Sequence, residues 1–116
     1  MDFNQDKIIK EIFEKKNQIN STSFTITRFM LLTLLSYFID GLQFRELKAS
    51  LKVSDGNISS NLLYLAKMGY INKNAIEFDN KKLHYYTITE NGKVELKKIL
   101  NWMALIKKLL GVTNDE

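Results

Sequence analysis

Residues Ser54 to Ile71 read SDGNISSNLLYLAKMGYI, and the fold turns on how this stretch is understood. Ile58, Leu62 and Leu65 follow the i, i+4, i+7 spacing of a helix with one buried side. Ser54 or Asp55 can cap its first turn through a side-chain oxygen. Gly69 can end it, because a left-handed backbone is cheap only for glycine. The other side carries Asn57, Ser60, Asn61 and Tyr64 instead of the Lys and Glu that usually solubilise an exposed helix. Asn and Ser are poor helix formers, so such a face needs a reason.

Upstream, Phe44, Leu47 and Leu51 share one side of a short helix over about 43–51, and Lys52 and Val53 leave only a tight connection before Ser54. Gly41 separates this pair from a more apolar helix, about Ile26 to Ile39, that should sit at the centre of the core. Ser23 or Thr25 is placed to cap that helix, after the polar connector NQINSTS. Before the connector, Ile8, Ile9, Ile12 and Phe13 form the apolar stripe of an amphipathic helix from about Gln5 to Asn17.

Downstream the period changes. YINKNAIEF and LHYYTIT are rich in β-branched and aromatic residues and flank the turn-forming DNKK, which predicts a two-stranded β-hairpin. Thr89 can cap a last helix running to about Leu110, with Glu90 where the helix dipole favours an acid. Ile99, Leu100, Trp102, Met103, Ala104, Leu105 and Ile106 cover more of that helix than one domain face can bury.

Two short helices across a tight turn, followed by a basic hairpin, form a helix-turn-helix with a wing. The chain resembles winged helix-turn-helix transcriptional regulators of the MarR/ArsR type, in particular a small single-domain subgroup. The resemblance rests on Asp55, Gly56, Asn57, Ile58 and Ser59, then Leu62 and Leu65 as core positions, then Gly69, Tyr70 and Ile71, then Asp79, Lys81, Lys82, Tyr86, Ile88, Thr89 and Gly92, and spans about 27–99. The chain departs from the pattern at Ser60 and Asn61, where the family often has a basic residue or His. It departs again at Lys81 and Lys82, where Arg is common in the wing.

The resemblance implies an α+β, mostly α fold: a winged helix-turn-helix with a two-stranded wing and flanking N- and C-terminal helices. Residues 1–20 would be an amphipathic helix for dimerisation or packing, 21–98 the DNA-binding domain, and 99–116 the end of a dimerisation helix and a tail. It further implies sequence-specific binding to double-stranded DNA by a homodimeric regulator, expected to be a repressor. The recognition helix, 55–68, would enter the major groove and the wing, 77–84, would lie on the backbone or minor groove.

The residues fit such a role. An Asn amide donates and accepts together, which matches adenine N6 and N7, so Asn57 and Asn61 are candidate readers. Ser60 is small enough for close approach, and Tyr64 can reach a phosphate with its hydroxyl. Ser54, with the first backbone N–H groups, forms a phosphate-binding helix end. Gly56 and Ser59 complete the expected DNA-binding set, with Lys81 and Lys82 on sugar-phosphate. The same residues are also consistent with a tolerated polar surface and a turn made soluble by lysine. The expected dimer interface comprises Ile8, Ile12, Trp102, Met103, Ile106 and Leu110; the alternative is that the N-terminal helix packs on the last helix within one chain.

Composition narrows the function classes. The 116 residues, 45% hydrophobic and 26% charged, suit one compact domain. With no cysteine, disulfides, thiolate metal sites and cysteine nucleophiles are excluded; a single histidine, His84, argues against a zinc site or a His-dependent triad, and no metal site or cofactor is expected. No nucleophile–base pair or phosphate-cradling glycine loop stands out, so the chain does not read as an enzyme. The net charge is +4, and residues 41–98 hold ten basic against six acidic side chains while the flanks balance. The N-terminus lacks a signal-peptide core and the apolar runs are too short to span a membrane, so a cytoplasmic location without membrane contact is expected. A small-molecule effector is a further partner that the resemblance allows. The competing function is a winged-helix protein-interaction module that never meets DNA.

Overall fold

The computed structural model describes residues 3–112, with side chains from residue 7 onward; of the expected C-terminal tail, 113–116 lie outside the described residues. Helix α1 spans Phe3–Lys16, α2 Ile26–Tyr37, α3 Phe44–Leu51, α4 Asp55–Lys67 and α5 Glu90–Leu110. Strands β1, β2 and β3 span Leu42–Gln43, Ile71–Phe78 and Lys81–Ile88, and Ser21–Ser23 form a 3-10 turn. The order and type of the long elements agree with the sequence-based expectation.

Local chemistry sets the boundaries. Thr25, Ser54 and Thr89 cap α2, α4 and α5 by accepting the N–H of Arg28, Asn57 and Gly92 respectively. Between β2 and β3, Asp79 and Asn80 both adopt positive φ, 55° and 61°, with Phe78 paired to Lys81. That is a two-residue turn of the kind whose twist matches a hairpin, and Asn and Asp tolerate it. DNKK is therefore not all turn: Lys81 and Lys82 already belong to β3.

The sheet is three-stranded and antiparallel in the order β1-β3-β2, one strand more than the expected hairpin. Leu42 pairs with Tyr86 and Gln43 with Tyr85. Gly41 makes this possible. At φ +104° it turns the chain against β3 so closely that a Cβ would lie 2.7 Å from the Tyr85 ring and 2.8 Å from the Tyr86 carbonyl oxygen.

The core lies where α2, α3 and α4 meet the sheet. Leu31, Leu32, Leu35, Leu47, Ile58, Leu62, Leu65, Ile71, Tyr86, Ile88 and Leu96 are buried together. The first turn of α5 is pinned to the end of the wing: Thr89 Oγ1 donates to the Gly69 carbonyl at 2.6 Å and accepts the Gly92 N–H at 3.1 Å. A Cβ on Gly92 would lie 2.1 Å from the Tyr70 carbonyl oxygen. The Thr89-x-x-Gly92 spacing thus has a steric and a capping cause.

The connector is anchored by a buried carboxylate. Glu95, 4% exposed, accepts the Asn20 backbone N–H at 3.0 Å, and the Tyr70 hydroxyl donates to it at 3.5 Å. Burial pushes the Tyr70 phenol above its ordinary value against the hydrogen bond from Asn20, and the neighbouring Glu95 adds to the rise.

Helix α1 packs on α5 of the same chain. Ile12 is buried there, and the Trp102 indole N–H donates to its carbonyl at 3.1 Å. This pair extends the molecule to 65 × 31 × 24 Å with a radius of gyration of 17.3 Å. A compact domain of this length would have a radius of about 13 Å. Among the described residues no helix is long and apolar enough to cross a membrane.

Candidate nucleic-acid interface

Helix α4 follows α3 after the three residues Lys52, Val53 and Ser54, the first of which takes the left-handed conformation at φ 55°. The two helices are tied across this turn by Lys48 Nζ to Asp55 Oδ1 at 2.5 Å. Both partners are largely solvated, so the pair orients more than it stabilises. Its electrostatic effect is local: the one acid in the first turn of α4 has a cation beside it.

With Ile58, Leu62 and Leu65 buried, the stripe directly opposite is Gly56, Ser60, Leu63 and Lys67, all exposed, with Ser59 beside it. This corrects the sequence-based picture, which put Asn57, Ser60, Asn61 and Tyr64 there together. Asn57, Asn61 and Tyr64 instead form the flank nearest α2. Leu63, which that picture omitted, is 57% exposed in the middle of the outward stripe. A Cβ on Gly56 would meet nothing within 4 Å, so no neighbour inside the protein requires the glycine.

The α2 flank is organised by Arg28, a residue that sequence reasoning missed. Its guanidinium lies over the Tyr64 ring, 3.7 Å from the centroid. Its Nε–H donates to Asn61 Oδ1 at 2.8 Å, and Nη1 donates to the Thr22 carbonyl. Asn61 Nδ2 donates in turn to the Asn57 carbonyl at 2.8 Å and to Asn57 Oδ1 at 2.9 Å. Asn61, expected to offer its amide to adenine, is thus bonded on both sides within the protein. The Tyr64 hydroxyl, expected to reach a phosphate, is hydrogen-bonded to Thr22 Oγ1. The signal for this flank was the Arg itself, one cation near the start of an otherwise apolar helix.

On the other side of α4 stands the wing. Successive strand residues face opposite ways, so Lys81 and Lys82 diverge. Lys73, Tyr86 and His84 line a groove of about 440 Å³ against Ser59, Leu62, Leu63 and Ala66 of α4. Lys82 shares their sheet face, and its cross-strand partner is Glu77. Lys81 lies on the reverse face with Phe78, Ile76 and Leu83. Lys73 therefore joins Lys82 on the side of the recognition helix, whereas Lys81 does not.

Ser54 holds its expected place, its Oγ accepting the Asn57 N–H at 3.1 Å as the α4 cap. Of the residues expected at a dimer interface, Ile12 is buried in the chain itself, Ile8, Trp102, Met103 and Ile106 are half-buried, and Leu110 is 68% exposed. Among the described residues no group of three His, Cys, Asp or Glu is placed to hold a metal ion.

A family model described as a winged helix DNA-binding domain matches residues 26–107. Comparison with curated proteins returned no match. Among solved structures, a transcriptional regulator homologue from Pyrococcus horikoshii is similar at a TM-score of 0.73 and 19% identity, over 90% of this chain and 97% of that one. A MepR variant from S. aureus bound to an oligodeoxyribonucleotide is similar at 0.68 and 16%, over 95% and 78%. MarR from E. coli is similar at 0.64 and 17%, over 97% and 78%. At these identities the likeness is one of fold, the MarR-like winged helix.

Proposed function

The chain belongs to the winged helix DNA-binding domain family, and from that premise we propose that it is a homodimeric transcriptional regulator, a repressor acting in the cytoplasm, that reads double-stranded DNA with α4. The observation that carries the reading is the outward stripe of α4. Gly56 and Ser60 keep it low, Leu63 offers an apolar contact suited to a thymine methyl group, and no acid lies along it. Ser59 and Asn57 flank it within reach of base edges or phosphate. Ser54 and the amide end of α4 suit a phosphate at the groove margin. Lys82 and Lys73 extend from the wing on the same side, while Lys67 ends the stripe.

A dimer is supported by shape. The α1–α5 extension leaves Phe13, Leu100 and Leu110 at 60%, 48% and 68% exposure, on elements that reach beyond the core of the winged helix. A second copy would cover that surface and set two α4 helices one DNA turn apart. A small-molecule effector belongs to the same proposal, as the input that would release DNA.

The test is anisotropy titration of a labelled random duplex, with light scattering on the free protein. Binding that falls steeply with salt, by a chain that scatters as a dimer at micromolar concentration, is expected. Salt-insensitive binding or none would favour a protein-interaction module instead, and a monomer would remove the two-fold part of the proposal.

A further inference from the structure

We propose that Asn57 reads guanine, through an amide whose polarity is fixed by Asn61, itself oriented by Arg28 and by the helix backbone. The inference deepens the DNA-reading proposal and rests on it.

An arginine guanidinium has only donors, so the atom of Asn61 that meets Arg28 Nε at 2.8 Å must be its carbonyl oxygen. The other end of the Asn61 amide meets the Asn57 backbone carbonyl at 2.8 Å, which only accepts. Both neighbours impose the same orientation on Asn61. Its NH₂ therefore also faces the Asn57 side chain, and the atom met there at 2.9 Å must be Oδ1. The Asn57 NH₂ is left as the outward end. A free asparagine would match adenine by donating and accepting together, but this one has turned its acceptor inward.

Position 57 lies in the first turn of α4, where a recognition helix meets base edges. In the major groove guanine presents two adjacent acceptors, N7 and O6, whereas adenine sets its N6 donor beside N7. An outward NH₂ fits the first pattern and opposes the second. Arg28 is a positioning residue here: the Tyr64 ring beneath it and the Thr22 carbonyl hold the guanidinium in place.

Selection from a random duplex pool, read for the unaltered chain and for Asn57→Ala, identifies the base column that Asn57 sets. The unaltered chain is expected to prefer guanine over adenine there by about tenfold and to lose a similar factor when that base is 7-deazaguanine. Arg28→Leu should still bind duplex yet discriminate guanine from adenine less sharply than the unaltered chain, since only the Asn57 backbone carbonyl then orients the Asn61 amide. Asn61→Ala removes the donor to Asn57 Oδ1 altogether and should discriminate by less than about twofold, which also covers the case in which Arg28→Leu fails to fold. Adenine preference in the unaltered chain, or full guanine preference in both variants, would overturn the assignment. Absence of duplex binding by the unaltered chain would overturn the DNA reading itself.

Discussion

Gly56→Ala separates the stability of α4 from its use. A helical glycine is less favourable than alanine by about 1 kcal/mol in a helix interior, and a first-turn position should realise about half of that. Nothing within 4 Å opposes the added methyl group, so no clash offsets the gain. The free protein should therefore be stabilised by about 0.5 kcal/mol, a rise in Tm of about 2 °C for a domain of this size. DNA binding should move the other way. Gly56 stands at the start of the outward stripe, one turn before Ser60, and a methyl group there holds the helix off the base edges. Forcing one methylene-sized group into a close-packed contact costs about 1–3 kcal/mol, or at least about fivefold in affinity. Thermal unfolding by circular dichroism and anisotropy titration of the selected duplex measure the two effects on one preparation. A raised Tm with unchanged affinity would refute the reasoning, because it would mean that position 56 does not face DNA. A lowered Tm would refute the other half, the reading of Gly56 as free of any role inside the protein.

Three further outcomes follow from single contacts. Gly92→Ala should destabilise the fold by about 3 kcal/mol in urea titration, since its Cβ would stand 2.1 Å from the Tyr70 carbonyl and α5 would have to leave its cap; a loss under about 1 kcal/mol would show that the helix simply shifts. Lys82→Ala should lower the salt dependence of duplex binding by nearly one phosphate contact, a slope change of about 0.9, and Lys81→Ala by much less, because the two face opposite sides of the wing; equal changes would mean that the wing docks by its tip. Burial raises the Tyr70 phenol, so the folded chain keeps that proton at a pH where the unfolded chain has released it. The stabilisation that comes with holding the proton is complete below the ordinary phenol value of 10.0 and declines as pH rises above it. Tyr70→Phe should accordingly show a shallower fall in unfolding free energy above pH 10 than the unaltered chain, and parallel curves would show that the hydroxyl does not sense folding.

What sequence reading caught and missed follows the range of the interaction. The Ser54 and Thr89 caps, the Asp79–Asn80 turn and the buried stripe Ile58, Leu62, Leu65 involve residues a few positions apart, and each leaves its mark in a short string. Strand β1 leaves none: Leu42 and Gln43 are extended because β3 lies beside them more than forty residues later. For α1 the amphipathic stripe was plain, and packing on α5 within one chain was one of the two partners the sequence left open. The candidate interface was read in composition but not in orientation. Helical spacing placed Asn57, Asn61 and Tyr64 away from the core, yet Arg28, 33 residues before Asn61, draws that flank against α2. Equally, adjacency in sequence suggested that Lys81 and Lys82 act together, and the pleat of β3 parts them.

The scarcity of charge on α4 that set the stretch apart now has a spatial meaning. On the proposed DNA reading, affinity and base readout fall on different surfaces. The outward stripe of α4 bears a single cation, Lys67, in its last turn, and the acid at its start is matched by Lys48 of α3. Cations collect at the margin, on the wing as Lys73 and Lys82. Such a division suits a duplex, whose phosphates border the groove and whose base edges form its floor. A lysine at the centre of the stripe would add attraction without discrimination, since a flexible ammonium meets any acceptor it can reach. In the proposed docking, Gly56, Ser60 and Leu63 would instead demand close fit, and Asn57, held through Asn61, a particular partner. In the proposed arrangement Arg28 works inward, its Nε and Nη1 donors taken by Asn61 and Thr22, and it would bear on DNA only through the amide that it helps to orient.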